Sequence, residues 1–149
     1  MPIFRKKQPK IEEKTVPLHP KIENMIRNLL LVALGGAVGS VLRYLLSGIN
    51  TSFPWGTFAV NILGSLLIGL LVGLVSKGVL SPEMKLLLVT GFCGGFTTFS
   101  TFANESFGMM KAGDVLLTAL YVGASVIIGI LAVWGGMMLS CMLARWATS

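Results

Sequence analysis

Hydrophobic residues fall into four long runs separated by short polar segments. The runs cover residues 29–49, 57–75, 84–110 and 115–144, and the segments between them carry proline, asparagine, lysine or aspartate. A helix needs about 20 apolar residues to cross the hydrocarbon core of a bilayer, and each run is long enough for that. The pattern therefore predicts an all-α membrane protein with four transmembrane helices, of which the last tilts or extends beyond the bilayer.

Residues 1–27 differ from the rest of the chain. They are polar, and they hold seven of the twelve Lys and Arg residues. We expect a flexible arm with a short helix near residues 22–27 that leads into the four-helix membrane domain, residues 28–149. A secretory signal does not fit, because the apolar run that follows is too long and lacks a cleavage site. A basic arm can bind nucleic acid, but beside membrane spans it more often marks cytoplasmic placement or contact with anionic lipid.

Composition excludes a water-soluble domain and argues against an enzyme. Hydrophobic residues make up 54% of the chain and charged residues 12%, and the mean hydropathy is +0.80, whereas soluble domains carry about 25% charged residues. The two cysteines, Cys93 and Cys141, and the single His19 offer neither a disulfide framework nor a metal cluster. No nucleophile–base pair or acidic metal cluster can be assembled from the predicted spans.

The acidic residues of the membrane domain bear on how an ion would be carried. Glu83 and Asp114 lie at the ends of predicted spans, and Glu105 comes late in the third. A proton-coupled transporter is expected to place an acidic residue near the membrane midplane. The sequence therefore favours a passive route for any transported ion.

Small and polar residues recur on single faces of the predicted helices, at the spacings of Gly36-Gly39-Ser40-Arg43, Asn61-Ser65-Gly69-Gly73 and Tyr121-Ser125-Gly129. The glycines alone are explained as helix-packing seams. The polar members leave two interpretations open. Arg43 either extends to the membrane surface or anchors the fold, and Asn61 either bonds another helix or serves a site.

The third run contains the sequence Gly91-Phe-Cys-Gly-Gly-Phe-Thr-Thr-Phe-Ser-Thr-Phe102. We predict a helix break at its Gly-Gly pair, and broken backbone at membrane depth is tolerated where it is buried in protein or lines a cavity. The freed carbonyls are suitable ligands for a small cation such as Na⁺; alternatively, the neighbouring hydroxyls cap them. Phe99 and Phe102 share a helix face, either as packing or as positively polarised ring edges that favour a dehydrated anion.

These motifs resemble the CrcB/Fluc family of fluoride channels. The matching stretches are residues 35–44, residues 56–61 and, above all, residues 91–102, in the order and spacing of the family, and the similarity spans about residues 29–145. The resemblance implies passive export of cytoplasmic fluoride across the plasma membrane of a prokaryote. It also implies a dual-topology, antiparallel dimer with two pores. The arm before residue 28 lies outside the resemblance.

The resemblance also assigns residues to roles. The fluoride pathway it implies comprises Asn61, Phe99, Phe102, Ser100, Thr101, Tyr121 and Ser125. The backbone carbonyls of Gly94 and Thr97 would bind a structural Na⁺ at the subunit interface, and Arg43 would be a structural polar residue.

Two other functions remain as alternatives, and so does a choice of assembly. A small multidrug or cation transporter would need a carboxylate embedded in the first helix, and a non-conducting structural subunit would use the small-residue faces for packing only. A homodimer is favoured, because the positive-inside rule counts mainly basic residues within about 15–20 positions of a span. Pairing with an inverted paralogue is the alternative. The expected partners are fluoride and membrane lipid, without nucleic acid.

Overall fold

Within residues 20–147, the range that the computed structural model describes, every regular element is a helix. The helices are α1 (Pro20–Ser47), α2 (Trp55–Ser76), α3 (residues 82–96), α4 (Phe99–Lys111) and α5 (Val115–Ala147). Helices α3 and α4 together form one broken span, so four helical spans are long and apolar enough to cross a membrane. The predicted fold class, an all-α membrane protein with a break in its third span, is confirmed. Most of the predicted arm, residues 1–19, lies outside the described residues.

Helix α1 begins nine residues before the apolar run predicted at residue 29. Its first residue is Pro20, which is favourable at the first helical position because its missing N–H would have no partner there. At 28 residues and 1.5 Å per residue, α1 is about 42 Å long, against about 30 Å of hydrocarbon. Its first two turns therefore extend beyond the bilayer core, where Arg27 forms an ion pair with Glu83 at 3.3 Å.

The third span begins with strong local signals and then changes helix type. Ser81 caps α3 by accepting a hydrogen bond from the Met84 N–H at 3.2 Å, and Pro82 follows it. Residues Lys85–Cys93 form a π-helix, and the chain returns to α-helical geometry over Gly94–Phe96. Such wide turns are rare and are frequently found at functional sites.

The helix break lies beyond the predicted Gly-Gly pair. Gly94 keeps helical angles (φ −63°, ψ −37°), whereas Thr97 (φ −79°, ψ 160°) and Thr98 (φ −149°, ψ 124°) are extended. The predicted position was wrong because Gly95 serves packing instead: a side chain there would collide with the backbone of Gly36. The chain leaves the helix where a side chain of α2 replaces the helical hydrogen bonds.

Two glycine-lined seams hold the four spans together. Along the first, α1 contacts α3, and a Cβ atom at Gly35 or Gly39 would collide with the α3 backbone. Along the second, α2 contacts α5, and a Cβ atom at Gly69 or Gly136 would collide with the facing backbone. Small residues permit such close approach of membrane helices, so the predicted packing role of the small-residue faces is seen in both seams.

Two of the turns depend on glycine. Gly78, after α2, has φ +72°, and Gly113, between α4 and α5, has φ +95°. Both values lie in the left-handed region that other residues rarely adopt. These tight turns keep consecutive spans adjacent and antiparallel, which brings α2, the broken span and α5 around one cavity.

Candidate ion pathway

Asn61 of α2 holds the helix break open. Its side-chain Nδ2 donates to the Thr98 carbonyl at 3.0 Å, and its Oδ1 accepts the Thr98 N–H at 2.8 Å. One amide thus replaces both backbone hydrogen bonds of a residue that has left the helix. An amide nitrogen carries two hydrogens, so one N–H of Asn61 remains after this pairing.

Hydroxyl groups complete the two helix ends at the break. Thr97 Oγ1 donates to the Cys93 carbonyl at 2.9 Å, at the end of α3. Thr98 Oγ1 accepts the Thr101 N–H at 3.3 Å and donates to Thr101 Oγ1 at 3.0 Å, which caps α4. Ser100 Oγ lies 3.5 Å from Thr98 Oγ1. These contacts are the local capping that competes with a ligand role for the same hydroxyls.

Arg43 ties the first helix to the break. Its Nε donates to the Gly95 carbonyl at 3.0 Å. In a continuous helix that carbonyl would accept the N–H of Phe99, which the break moves away. A cation therefore faces the open end of α3, at a depth where a charge is costly unless it is paired or bonded to backbone carbonyls.

The Gly94 and Thr97 carbonyls lose their helical donors at the same place. The Thr98 N–H, which would bond Gly94 in a continuous helix, donates to Asn61 instead. The Thr101 N–H, which would bond Thr97, donates to the Thr98 hydroxyl. A Cβ atom placed on Gly94 would meet no atom within 4 Å, so the surface beside it is open. Within residues 20–147 there is no group of three His, Cys, Asp or Glu that could hold a metal ion. The candidate cation ligands at the break are therefore these two backbone carbonyl oxygens.

A cavity of about 330 Å³ lies between α2, the break and α5. Its lining residues are Asn61, Gly64, Ser65, Ile68, Thr97, Thr98, Phe99, Phe102, Ser125 and Val126. Four of the predicted pathway residues, in α2, α4 and α5, therefore meet at one cavity. Ser100, Thr101 and Tyr121 do not line it.

The two phenylalanines form one side of the cavity. The ring centres of Phe99 and Phe102 are 5.9 Å apart and the rings are inclined by 48°. Phe102 also contacts the ring of Tyr121 at 5.1 Å, so Tyr121 supports the pair from behind, with only 1% of its surface exposed. Phe99, by contrast, is 79% exposed within one subunit.

Ser125 is the one hydroxyl of the cavity that is buried without a bond. Its Oγ is the sole buried side-chain polar atom without a hydrogen-bond partner in the described part of the chain. Nearly all buried polar groups in native proteins are bonded. An unbonded hydroxyl on a cavity wall is therefore a donor available to a ligand or a water molecule.

Glu105, which lies late in the third predicted span, accepts hydrogen bonds from three side chains. Its Oε1 accepts hydrogen bonds from Asn50 Nδ2 at 2.9 Å and from Thr57 Oγ1 at 2.6 Å, and its Oε2 accepts one from the Tyr121 hydroxyl at 3.1 Å. The Asn50 Oδ1 atom in turn accepts the Gly56 N–H at 2.7 Å. Through Tyr121 this network lies directly behind Phe102. The sequence signal for this network was a carboxylate, Glu105, near the end of an apolar run.

Comparison of the sequence with known proteins assigns the chain to a family. Residues 30–137 match the family model described as CrcB-like protein, Camphor Resistance (CrcB). The chain belongs to the CrcB family. This confirms the resemblance drawn from the three sequence motifs, and the matched region contains all the predicted pathway and cation-binding residues.

Relatives from several bacteria share the name fluoride-specific ion channel FluC. The protein from Phocaeicola vulgatus is 50% identical over 121 residues, which cover 77% of this chain and 99% of the relative. The Agrobacterium fabrum protein is 52% identical over 120 residues (75% and 94%), and the Flavobacterium psychrophilum protein is 42% identical over 121 residues (77% and 98%). Four spans and membership of this bacterial family identify the CrcB chain as a multi-pass protein of the prokaryotic plasma membrane.

Proposed function

We propose that this CrcB chain is the subunit of a fluoride-selective channel through which cytoplasmic fluoride leaves the cell passively. The observation that carries the proposal is the cavity in which the Phe99–Phe102 pair, the Asn61 amide and the unbonded Ser125 hydroxyl meet. The names of the bacterial relatives supply the ion. The conduction of an ion involves no catalytic step, so no enzymatic activity is proposed.

The cavity offers weak donors instead of a full positive charge. A small anion that enters it exchanges its hydration shell for the Ser125 hydroxyl, the remaining N–H of Asn61 and the ring edges of the two phenylalanines. The guanidinium of Arg43 is bonded to the Gly95 carbonyl at the break. Binding by uncharged groups is weak enough to release the ion again, which conduction requires.

An antiparallel homodimer is the proposed assembly. Phe99 is 79% exposed in one subunit although it lines the cavity, so a second subunit is needed to close that side. The N-terminal arm favours a cytoplasmic amino terminus, but its most basic part, around residues 5–10, lies beyond the window that counts strongly. Pairing with an inverted paralogue is the alternative arrangement.

A structural Na⁺ is proposed between the Gly94 and Thr97 carbonyls and their counterparts in the second subunit. Both carbonyls lose their helical donors at the break, and the surface beside Gly94 is open. Carbonyl oxygens suit a hard cation of single charge. When bound, the ion would supply positive charge that stabilises the open end of α3; Arg43 and Asn61 hold the backbone that presents these oxygens.

The decisive test of function is flux from liposomes. Purified protein is reconstituted with internal fluoride, and its efflux is followed with a fluoride electrode. The expected result is fluoride efflux well above that of protein-free vesicles, with no matching chloride efflux. Chloride release without fluoride release would overturn the proposal.

The Na⁺ site is tested by removing the ion. Exhaustive exchange of Na⁺ for a bulky organic cation during purification is expected to lower both the unfolding temperature and the fluoride flux. Return of Na⁺ should restore both. If neither quantity responds, the Gly94 and Thr97 carbonyls do not bind the ion.

Orientation is tested by cysteine labelling at a residue of the arm in intact cells. Partial labelling from outside, with activity from this chain alone, is expected for the antiparallel homodimer. Complete protection together with no activity from the chain alone would establish the paralogue pair instead.

A further inference from the structure

We propose that the first turns of α1 and the start of α3 form a binding groove for an anionic phospholipid. The groove has a volume of about 410 Å³. It is lined by Lys21, Asn24, Met25, Asn28, Leu29, Val32 and Leu86. It is separate from the ion cavity, and the proposal does not depend on which ion the protein carries.

The groove is polar at one end and apolar at the other. Lys21, Asn24 and Asn28 recur at i, i+3 and i+7 and line its outer end, while Val32 and Leu86 lie deeper along the spans. The polar end belongs to the part of α1 that extends past the hydrocarbon core. A ligand that fits must therefore place an anionic, hydrogen-bonding group at the membrane surface and an apolar chain against the helices, which describes a phospholipid.

The charge around the groove complements a phosphate. At the end of the subunit that holds the groove, the described helix ends carry five basic residues, which are Lys21, Arg27, Lys77, Lys85 and Arg145, against two acidic ones, Glu23 and Glu83. At the opposite end of the subunit, Arg43 and Lys111 are balanced by Glu105 and Asp114. Basic residues near the surface attract anionic lipids, so within each subunit only the end that holds the groove has the net charge to select them.

The sequence before the groove adds further positive charge. Residues 1–19 carry five Lys or Arg residues against two Glu residues. The family match begins at residue 30, so Lys21, Asn24 and Asn28 precede it. The outer end of the groove is therefore a feature of this chain's extension of α1, joined to the third span by the Arg27–Glu83 ion pair.

Lipid binding is tested by native mass spectrometry of the full-length protein in detergent. Phosphatidylglycerol and phosphatidylcholine of equal chain length are added separately, and the retained lipid is counted. Wild-type protein is expected to retain several-fold more phosphatidylglycerol. The variant K21Q should lose most of this preference, because a surface lysine contributes about fivefold to anionic lipid binding. The matched control is K111Q, which removes a lysine from the opposite end of the subunit, away from the groove, and should retain the preference.

A second variant separates headgroup recognition from general charge. N24L/N28L keeps every charge but removes the two amides, and it should reduce retention of phosphatidylglycerol while leaving the unfolding temperature unchanged, since both side chains are exposed. Equal retention of the two lipids by the wild type, or an equal loss in K111Q, would overturn the proposal. Displacement of the lipid by inorganic phosphate at the same concentration would also overturn it, because the site would then bind a free anion and not a lipid.

Discussion

Two regions of the membrane-spanning part carry polar groups, and they differ in how completely those groups are bonded. At the helix break, the Thr98 backbone is paired on both sides by Asn61, and the Gly95 carbonyl is paired by Arg43. On the cavity wall, Ser125 is buried and has no partner. The hydrogen bonds at the helix break fix the shape of the pathway. The unbonded hydroxyl on the cavity wall remains available to a passing ion.

The difference matters because an unsatisfied polar group is costly inside a protein. Leaving a buried donor unbonded costs about 1–3 kcal/mol, so the cavity is maintained at the expense of stability. Removal of a group from the break should therefore reduce both stability and flux. Removal of a group from the cavity wall should reduce flux alone.

The largest effect is expected at Asn61. Replacement of Asn61 by Leu keeps the size of the side chain but leaves the Thr98 N–H and carbonyl without partners, at a cost of about 1–3 kcal/mol. Fluoride flux should fall by about tenfold or more, because 1.4 kcal/mol is a factor of ten in the population of a conformation. Liposome flux and thermal unfolding measure the two effects. Asn104→Leu, at an exposed site outside the cavity, is the control, and an unchanged unfolding temperature in Asn61→Leu would contradict the assignment of Asn61 to the break.

The next largest effect is expected at the phenylalanine pair, and there it should be confined to flux. Phe99→Ile and Phe102→Ile retain an apolar side chain but remove the polarised ring edge. Most of the fluoride flux should be lost, while the elution volume in gel filtration stays the same. Phe107→Ile, at an exposed position of the same helix outside the cavity, should behave as wild type. If both pair variants conduct normally, the rings serve packing only.

A smaller effect, with stability and flux changing independently, is expected at Ser125. Ser125→Ala removes an unbonded hydroxyl, so stability should stay the same or rise slightly, while flux falls by about two- to tenfold, the range that one hydrogen bond of about 0.5–1.5 kcal/mol can supply. The control is Ser140→Ala in the same helix, where a buried hydroxyl donates to the Met137 carbonyl at 2.6 Å. That variant should be less stable with normal flux. A loss of stability in Ser125→Ala with normal flux, together with a loss of flux in Ser140→Ala, would contradict the distinction between bonded and unbonded groups.

The smallest effect is expected outside both regions. Glu83→Gln removes the exposed ion pair with Arg27, and exposed pairs contribute little to stability. The unfolding temperature should change by no more than the error of the measurement, and flux should be unaffected. A clear loss of stability would mean that the extension of α1 is held mainly by this pair.

The sequence was sufficient for the spans because hydrophobic run length is set by the bilayer itself. All four predicted spans correspond to helices, and the third is broken. The predicted short helix near residues 22–27 is confirmed as the first turns of α1, which begins at Pro20, nine residues before the apolar run, and continues into the span although hydropathy does not select residues 20–28. Pro20 at the first helical position was the local signal for this earlier start.

Details that depend on contacts between distant residues were harder to predict. The break was placed at Gly94-Gly95, since glycine suits both close packing and irregular backbone, and only the contact with Gly36 separates the two uses. The network of Glu105 joins residues that are 16 to 55 positions apart. Hydropathy gives no information about such pairing, and the cavity shared by Phe99 and Ser125 could be anticipated only through the family resemblance.

The double hydrogen bond of Asn61 also makes this position vulnerable to chemical ageing. Asparagine is one of the thermolabile residues, and hydrolysis, which consumes a water molecule and releases ammonia, converts its amide into a carboxylate of nearly the same shape and mass. The oxygen that accepts the Thr98 N–H would survive, but the nitrogen that donates to the Thr98 carbonyl would become a second, negatively charged acceptor facing another oxygen. Hydrolysis of this one amide is therefore expected to abolish flux in a subunit that is otherwise intact and correctly inserted.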